Sequence, residues 1–214
     1  MPPRNGSAAC SSDRPVSLSA IGILVLVVGP SGAGKDSIIA GAASQLCGEP
    51  GFVFARRVIT RPREAGGESH VALSAAEFAA ERARGAFLLD WQAHGLDYGI
   101  PAALAADRAA GRVVVANVSR TMIDPARARL APIRVVQILA SHAVLCARLL
   151  SRGRESAADI DRRLARAAAA LEPAPDVMTV MNDGLLDDAV AQFVALLRAI
   201  AAQPLPASSL PASR

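Results

Sequence analysis

Apolar and polar positions fall along the chain in blocks whose lengths and periods separate strands from helices. Residues 21–28, Ile-Gly-Ile-Leu-Val-Leu-Val-Val, form an unbroken apolar, β-branched run, the pattern of a strand buried on both faces of a parallel sheet. A Gly-rich stretch follows directly, and the Ala/Ile-rich segment beyond it predicts a helix ending near residues 46–48. Residues 52–59 read as a second strand and 71–73 as a short third one. Ser74-Ala75-Ala76-Glu77 has capping-box spacing and predicts a helix that ends at Gly85. A strand over 86–91 leads into a polar loop, 92–100, and Pro101 suits the first turn of a helix stopped by Gly111. Residues 112–119 and 133–140 are two further core strands. Ser141 caps a helix over 142–151, and a second helical stretch passes through Ile160, Leu164, Ala167 and Leu171. Residues 177–181, 182–184 and 187–201 read as strand, turn and closing helix. Strands alternating with helices predict an α/β fold with a doubly wound parallel sheet.

The loop between the first strand and the first helix carries the chemistry. Gly29, Pro30, Ser31, Gly32, Ala33, Gly34 and Lys35 meet the spacing G-x-x-x-x-G-K, which lets successive backbone N–H groups and a helix N-terminus converge on nucleotide phosphates beside a lysine charge. Lys35 is the only lysine among the 23 basic residues. The Ser/Thr that ordinarily follows the lysine and touches Mg²⁺ is Asp36 here, with Ser37 one residue later. Asp36 and Ser37 are therefore the expected metal ligands.

At 214 residues the chain suits one domain over 21–202, with residues 1–20 and 203–214 expected to be disordered extensions. No uninterrupted apolar run approaches the ~20 residues that a membrane span needs, so no membrane partner is expected. The net charge of +4 comes from arginines scattered through the chain. That distribution points to phosphate-rich small molecules ahead of nucleic acid. Cys10, Cys47 and Cys146 have no metal-ligand spacing, which fits a reducing cytosol, and they are assigned no function.

Arg56, Arg57, Arg61 and Arg63 cluster at the end of the 52–59 strand and the start of a Gly-rich loop. Guanidinium forks bind phosphate oxygens in pairs, so Arg61 and Arg63 are read as an anion pocket, while Arg56 and Arg57 stay undecided between pocket and solvated face. In the 92–100 loop Tyr98 and His94 are placed to touch a ligand, and Trp91 is read as core. The 112–119 strand ends in polar residues at the edge where open α/β sheets bind ligands. Arg162, Arg163 and Arg166 are in part the wet face of the second helical stretch, while Gly153 between Arg152 and Arg154 is the hinge that a closing lid over polyphosphate would contain.

Taken together these motifs resemble the guanylate-kinase-like group of P-loop kinases and, more closely, the ribose 1,5-bisphosphate phosphokinase family of phosphonate degradation. The resemblance rests on residues 29–37, Arg-Val-Ile-Thr-Arg-Pro at 57–62, residues 67–74 and 91–99, Asn-Val-Ser-Arg at 117–120, Arg-Gly-Arg-Glu at 152–155 and Asn-Asp-Gly at 182–184. It implies a cytoplasmic kinase that uses ATP and Mg²⁺, with an acceptor-binding region over about 56–100 and a lid over about 152–163. Acceptor phosphate would be held by Arg61, Arg63, His70 and Tyr98. Lys35, Arg152 and Arg163 would neutralise charge on the transferring group, and Asn182 would join residues 29–37 around the nucleotide. The strand-end aspartate of guanylate kinases is missing at Ala116-Asn117, and of their guanine-binding acids Asp90 alone has a match. Asn117, Ser119 and Arg120 stand where a sugar bearing two phosphates would sit. The implied reaction is transfer from ATP to the 1-phosphate of ribose 1,5-bisphosphate. A nucleoside monophosphate kinase is the nearest alternative, and an inactive interaction module on the same fold a more distant one.

Overall fold

The computed structural model describes residues 21–62, 69–150 and 171–203. Arg63, the expected lid with Arg152 and Arg163, most of the second helical stretch and the two tails, apart from Gln203, lie outside those residues.

The chain opens with β1 (Leu24–Val28) and α1 (Lys35–Gln45), followed by β2 (Phe52–Phe54), β3 (Val58–Ile59), β4 (Val71–Ala72) and α2 (Ala75–Ala83). Next come β5 (Phe87–Ala93), β6 (Leu96–Pro101), α3 (Leu104–Ala109), β7 (Val113–Asn117), a 3₁₀ turn (Arg120–Met122) and α4 (Ile123–Arg129). The chain then forms β8 (Ile133–Leu139), α5 (His142–Leu150), β9 (Val177–Met181) and α6 (Leu186–Ala202).

Five strands make a sheet in the order β2-β7-β1-β8-β9, with every neighbouring pair parallel. A strand flanked on both sides and covered on both faces has to be apolar throughout, and all five residues of β1 are fully buried. Alternate residues serve opposite faces. Val25, Val27, Val115 and Ile138 pack against α1, α5 and α6 through Ile38, Leu145, Phe193 and Leu197. Leu24, Leu26, Val28 and Ala116 pack on the other face against Leu89, Trp91 and Ile100 of the β5–β6 hairpin and Ile123 of α4. The chain leaves β1 toward one edge of the sheet and β8 toward the other, so the carboxyl end of β1 lies at the reversal of strand order, where such sheets form a ligand crevice.

The amino end of the sheet is held by a buried arginine. Arg108 of α3 is 4 % exposed and donates from Nε to the carbonyl of Gly22 (3.1 Å) and from one terminal nitrogen to those of Leu130 (2.6 Å) and Pro132 (3.2 Å). Burial holds its pKa below the ordinary arginine value. No described helix is long and apolar enough to cross a membrane.

Several expectations are corrected. The 52–59 run is two strands: Phe52–Phe54 pairs with β7, while Val58–Ile59 joins a second sheet of order β4-β3-β6-β5. Residues 55–57 carry the chain from one sheet to the other, and apolar β-branched residues on both sides of that crossing conceal it. The fold thus has a mixed second sheet beside the parallel one. Residues 92–100 are no loop: β5 and β6 form a hairpin whose two-residue turn is His94-Gly95, with φ of 53° and 73°. Positive φ at both positions is the turn geometry that matches strand twist, so His94 serves the tip of the hairpin. Pro101 ends β6 instead of opening a helix, and α4, absent from the sequence reading, follows the 3₁₀ turn.

Candidate active site

The phosphate loop is built as its spacing predicts. Gly29 and Gly34 adopt φ of 149° and 87°. A Cβ at Gly29 would lie 2.1 Å from the carbonyl oxygen of Ile138, and one at Gly34 2.4 Å from Nδ2 of Asn182, so both positions demand glycine for space as well as conformation. Asn182, 1 % exposed, donates from Nδ2 to the carbonyl of Ala33 (2.8 Å) and braces the loop from the end of β9. Gly34 is the N-cap of α1 and supplies no side chain to its first N–H groups, which leaves that helix end suited to an anion. Lys35 arches over the loop, its Nζ donating to the carbonyls of Gly29 (2.8 Å) and Pro30 (2.9 Å). Ser31, Gly32, Gly34, Lys35, Asp36 and Ser37 line an open cavity of about 100 Å³.

Asp36 sits at the junction between this loop and the second sheet. Asn117, at the carboxyl end of β7, donates from Nδ2 to Asp36 Oδ1 (2.7 Å), and a terminal nitrogen of Arg57 lies 3.6 Å from the same oxygen. The Arg57 guanidinium lies over the ring of Tyr98 (5.6 Å to the centroid), and Tyr98 stacks on Trp91 with centroids 5.4 Å apart and planes 7° from parallel. Trp91 is core, as its sequence context predicts, and also the base of this stack.

On the second sheet Tyr98 pairs in register with Ile59, two residues before Arg61. His70 is buried; its Nε2 lies 3.0 Å from the carbonyl of Arg61 and its Nδ1 3.5 Å from a terminal nitrogen of the same arginine. A carbonyl only accepts, so Nε2 carries the hydrogen and Nδ1 faces the guanidinium as acceptor. Arg56 donates to the carbonyl of His70 (3.0 Å) from an exposed position, a bracing contact. Ser119 caps the 3₁₀ turn, accepting from the N–H and hydroxyl of Thr121. Arg120 lines a cavity of about 290 Å³ with Ile123, Arg127 and Leu171, and burial holds its pKa below the ordinary value.

Among the described residues no three His, Cys, Asp or Glu side chains form a metal cluster. A Mg²⁺ ion that accompanies a nucleotide needs only one or two carboxylates beside phosphates and water. Asp36, with its side chain 53 % exposed, and the exposed Ser37 meet that need at the mouth of the loop.

The structure brings together residues 29–37, Asn182, Asn117 and, across the junction, Tyr98. Arg57, undecided from sequence, belongs to the same constellation. Asp90 faces away from it: its carboxylate pairs with Nε of Arg82 on α2 (2.7 Å).

No family model matches the chain. The ribose 1,5-bisphosphate phosphokinase of Agrobacterium fabrum is 48 % identical over 183 residues, which span 86 % of this chain and 100 % of that protein. The protein of the same name from Acidiphilium cryptum is 50 % identical over 176 residues, 82 % of this chain and 92 % of the relative. Among solved structures, guanylate kinase from Anaplasma phagocytophilum superposes with a TM-score of 0.58 at 16 % identity, covering 87 % of this chain and 89 % of that one, a likeness of fold. With 48 % identity along the whole length of such a relative, on a P-loop kinase fold with an intact phosphate loop, the chain belongs to the ribose 1,5-bisphosphate phosphokinase family.

Proposed function

We propose that this enzyme transfers the γ-phosphoryl group of ATP to the 1-phosphate of ribose 1,5-bisphosphate, giving 5-phospho-α-D-ribosyl 1-diphosphate. The observation that carries the reading is the sign of charge across the cleft from the phosphate loop. Arg57 stands there between Asp36 and Tyr98, Arg61 follows two residues after the register partner of Tyr98, and Asp90 is turned to Arg82. A guanine site needs acceptors for the base's N–H donors, and burying those donors without partners is costly. A sugar with two phosphates needs cations and amide donors instead.

The roles of the chain's own residues follow. The N–H groups of the loop and of the first turn of α1 cradle the donor's phosphates, and Lys35 exchanges its two carbonyl contacts for them. Asp36 and Ser37 are the residues that would hold Mg²⁺, which supplies charge neutralisation on the transferring group. Arg61 and Tyr98, with Arg63, hold the acceptor phosphate, and His70, expected to touch it directly, instead orients Arg61 from a buried position; Asn117, Ser119 and Arg120 address the sugar and its second phosphate. Arg152 and Arg163 add positive charge as the site closes. The attacking phosphate oxygen is already nucleophilic, so no general base is required and catalysis is alignment plus electrostatics.

Parallel coupled assays with ribose 1,5-bisphosphate and GMP test the assignment. Turnover with GMP should be lower by at least about 10², the scale on which a polar site rejects a mismatched ligand. GMP as the better acceptor would make the protein a nucleoside monophosphate kinase.

A further inference from the structure

Arg57 has a place in the structure that the phosphate-loop chemistry does not explain. Its guanidinium lies between the two halves of the site, one terminal nitrogen 3.6 Å from Asp36 on the nucleotide side and the charge 5.6 Å from the ring of Tyr98 on the acceptor side. The Arg57 side chain is 11 % exposed while that of Asp36 is 53 % exposed, so the guanidinium is held in the protein and the carboxylate it approaches stays open to solvent and to a cation. Each neighbour is itself fixed. Asn117 holds the carboxylate at 2.7 Å, and the tyrosine ring lies flat on buried Trp91. At 3.6 Å the contact with Asp36 is longer than the roughly 2.7–2.9 Å of a charge-assisted hydrogen bond. Asn117 is thus the tight partner of Asp36, and Arg57 the exchangeable one.

Resting on the reading of Asp36 as the metal-side carboxylate and of the Tyr98 face as the acceptor site, we propose that Arg57 couples occupancy of the two sites. A divalent cation drawing on Asp36 competes with the guanidinium for the same oxygen. The guanidinium is then released toward an acceptor phosphate while Tyr98 keeps it in place. The coupling is reciprocal by linkage: a phosphate that engages Arg57 leaves Asp36 to the metal, so each ligand tightens the other by one factor.

Calorimetric titration of the full chain tests this without turnover. Ribose 1,5-bisphosphate is titrated alone, with a non-hydrolysable ATP analogue and Mg²⁺, and with the analogue in a chelator. In the wild-type protein the analogue with Mg²⁺ should tighten bisphosphate binding at least about fivefold, and the analogue without metal should not. Arg57→Gln should still bind the analogue but lose the tightening to within about twofold, and Arg57→Lys, which keeps the charge, should retain part of it. Tightening that persists in Arg57→Gln, that is as large without metal, or that is missing from the wild-type protein overturns the coupling. A wild-type protein that binds the analogue but no bisphosphate overturns the acceptor reading, and this proposal with it.

Discussion

Asn117 and Asp36 are 81 residues apart in sequence and joined by a 2.7 Å hydrogen bond from amide Nδ2 to carboxylate Oδ1. P-loop NTPases ordinarily place a hydroxyl on the loop and a carboxylate on the strand. Here the carboxylate is on the loop and the strand contributes a neutral donor. A carboxylate and a polar partner still face each other across loop and strand, with the carboxylate on the loop side.

Exchange predicts that the pair substitutes as a unit. Asp36→Ser and Asn117→Asp should each raise the Mg²⁺ concentration needed for half-maximal activity, and the double substitution should recover more than the sum of the single effects allows. Asn117→Asp alone sets two carboxylates against each other in place of a donor and an acceptor, so without metal it should also lower the melting temperature. Additive effects in a double-mutant cycle would mean that Asp36 serves only the helix N-terminus.

Lys35→Ala removes the only lysine from the loop. Turnover should drop by roughly 10² or more, the scale of a single preorganised electrostatic contact, with the thermal melt little changed. Near wild-type turnover would take the loop out of the mechanism.

Arg108→Met tests the clamp at the opposite end of the sheet. The side chain remains long and apolar, but the carbonyls of Gly22 and Leu130 lose the hydrogen bonds Arg108 gives them, and that of Pro132 keeps only the N–H of Leu24. Stability should fall by roughly 2–4 kcal/mol in urea unfolding, since buried acceptors are left without partners.

Glu77 closes the capping box of α2: its carboxylate accepts from the N–H (2.8 Å) and hydroxyl (2.7 Å) of Ser74, which hold its pKa below the usual carboxylate value. A depressed folded-state pKa stabilises above the unfolded value and the gain is lost as pH falls through the folded one. The melting difference between wild type and Glu77→Gln should therefore be present at neutral pH and shrink under acid conditions.

What the sequence discloses follows from the range of the forces that write it. The loop at 29–37, the strand before it and the Ser74–Glu77 box are local: glycine spacing, β-branching and a four-residue cap state them directly. The division of the 52–59 run between two sheets depends on pairing with β7 and β6, neither of which lies nearby in sequence. The hairpin turn at His94-Gly95 lacks the usual Asn or Asp, so a polar stretch reads as loop although Trp91 and Tyr98 pair across it. Arg57 stays ambiguous for the same reason. An arginine beside an arginine on a strand end looks alike whether solvent or Tyr98 receives it, and only the docking of the second sheet decides.

That docking runs through Leu89, Trp91 and Ile100, whose side chains meet Leu26, Val28 and Ala116 beneath the phosphate loop. With the acceptor on the second sheet as proposed, the separation between donor and acceptor is set by how thickly this apolar seam, Tyr98 included, is filled. Trimming or overfilling the seam would move one bound phosphate past the other by fractions of an ångström, and in-line transfer is sensitive to displacements of that order. On the proposed arrangement the spacing between substrates becomes a property of the hydrophobic core, so substitutions in the interior should detune turnover with both binding sites intact.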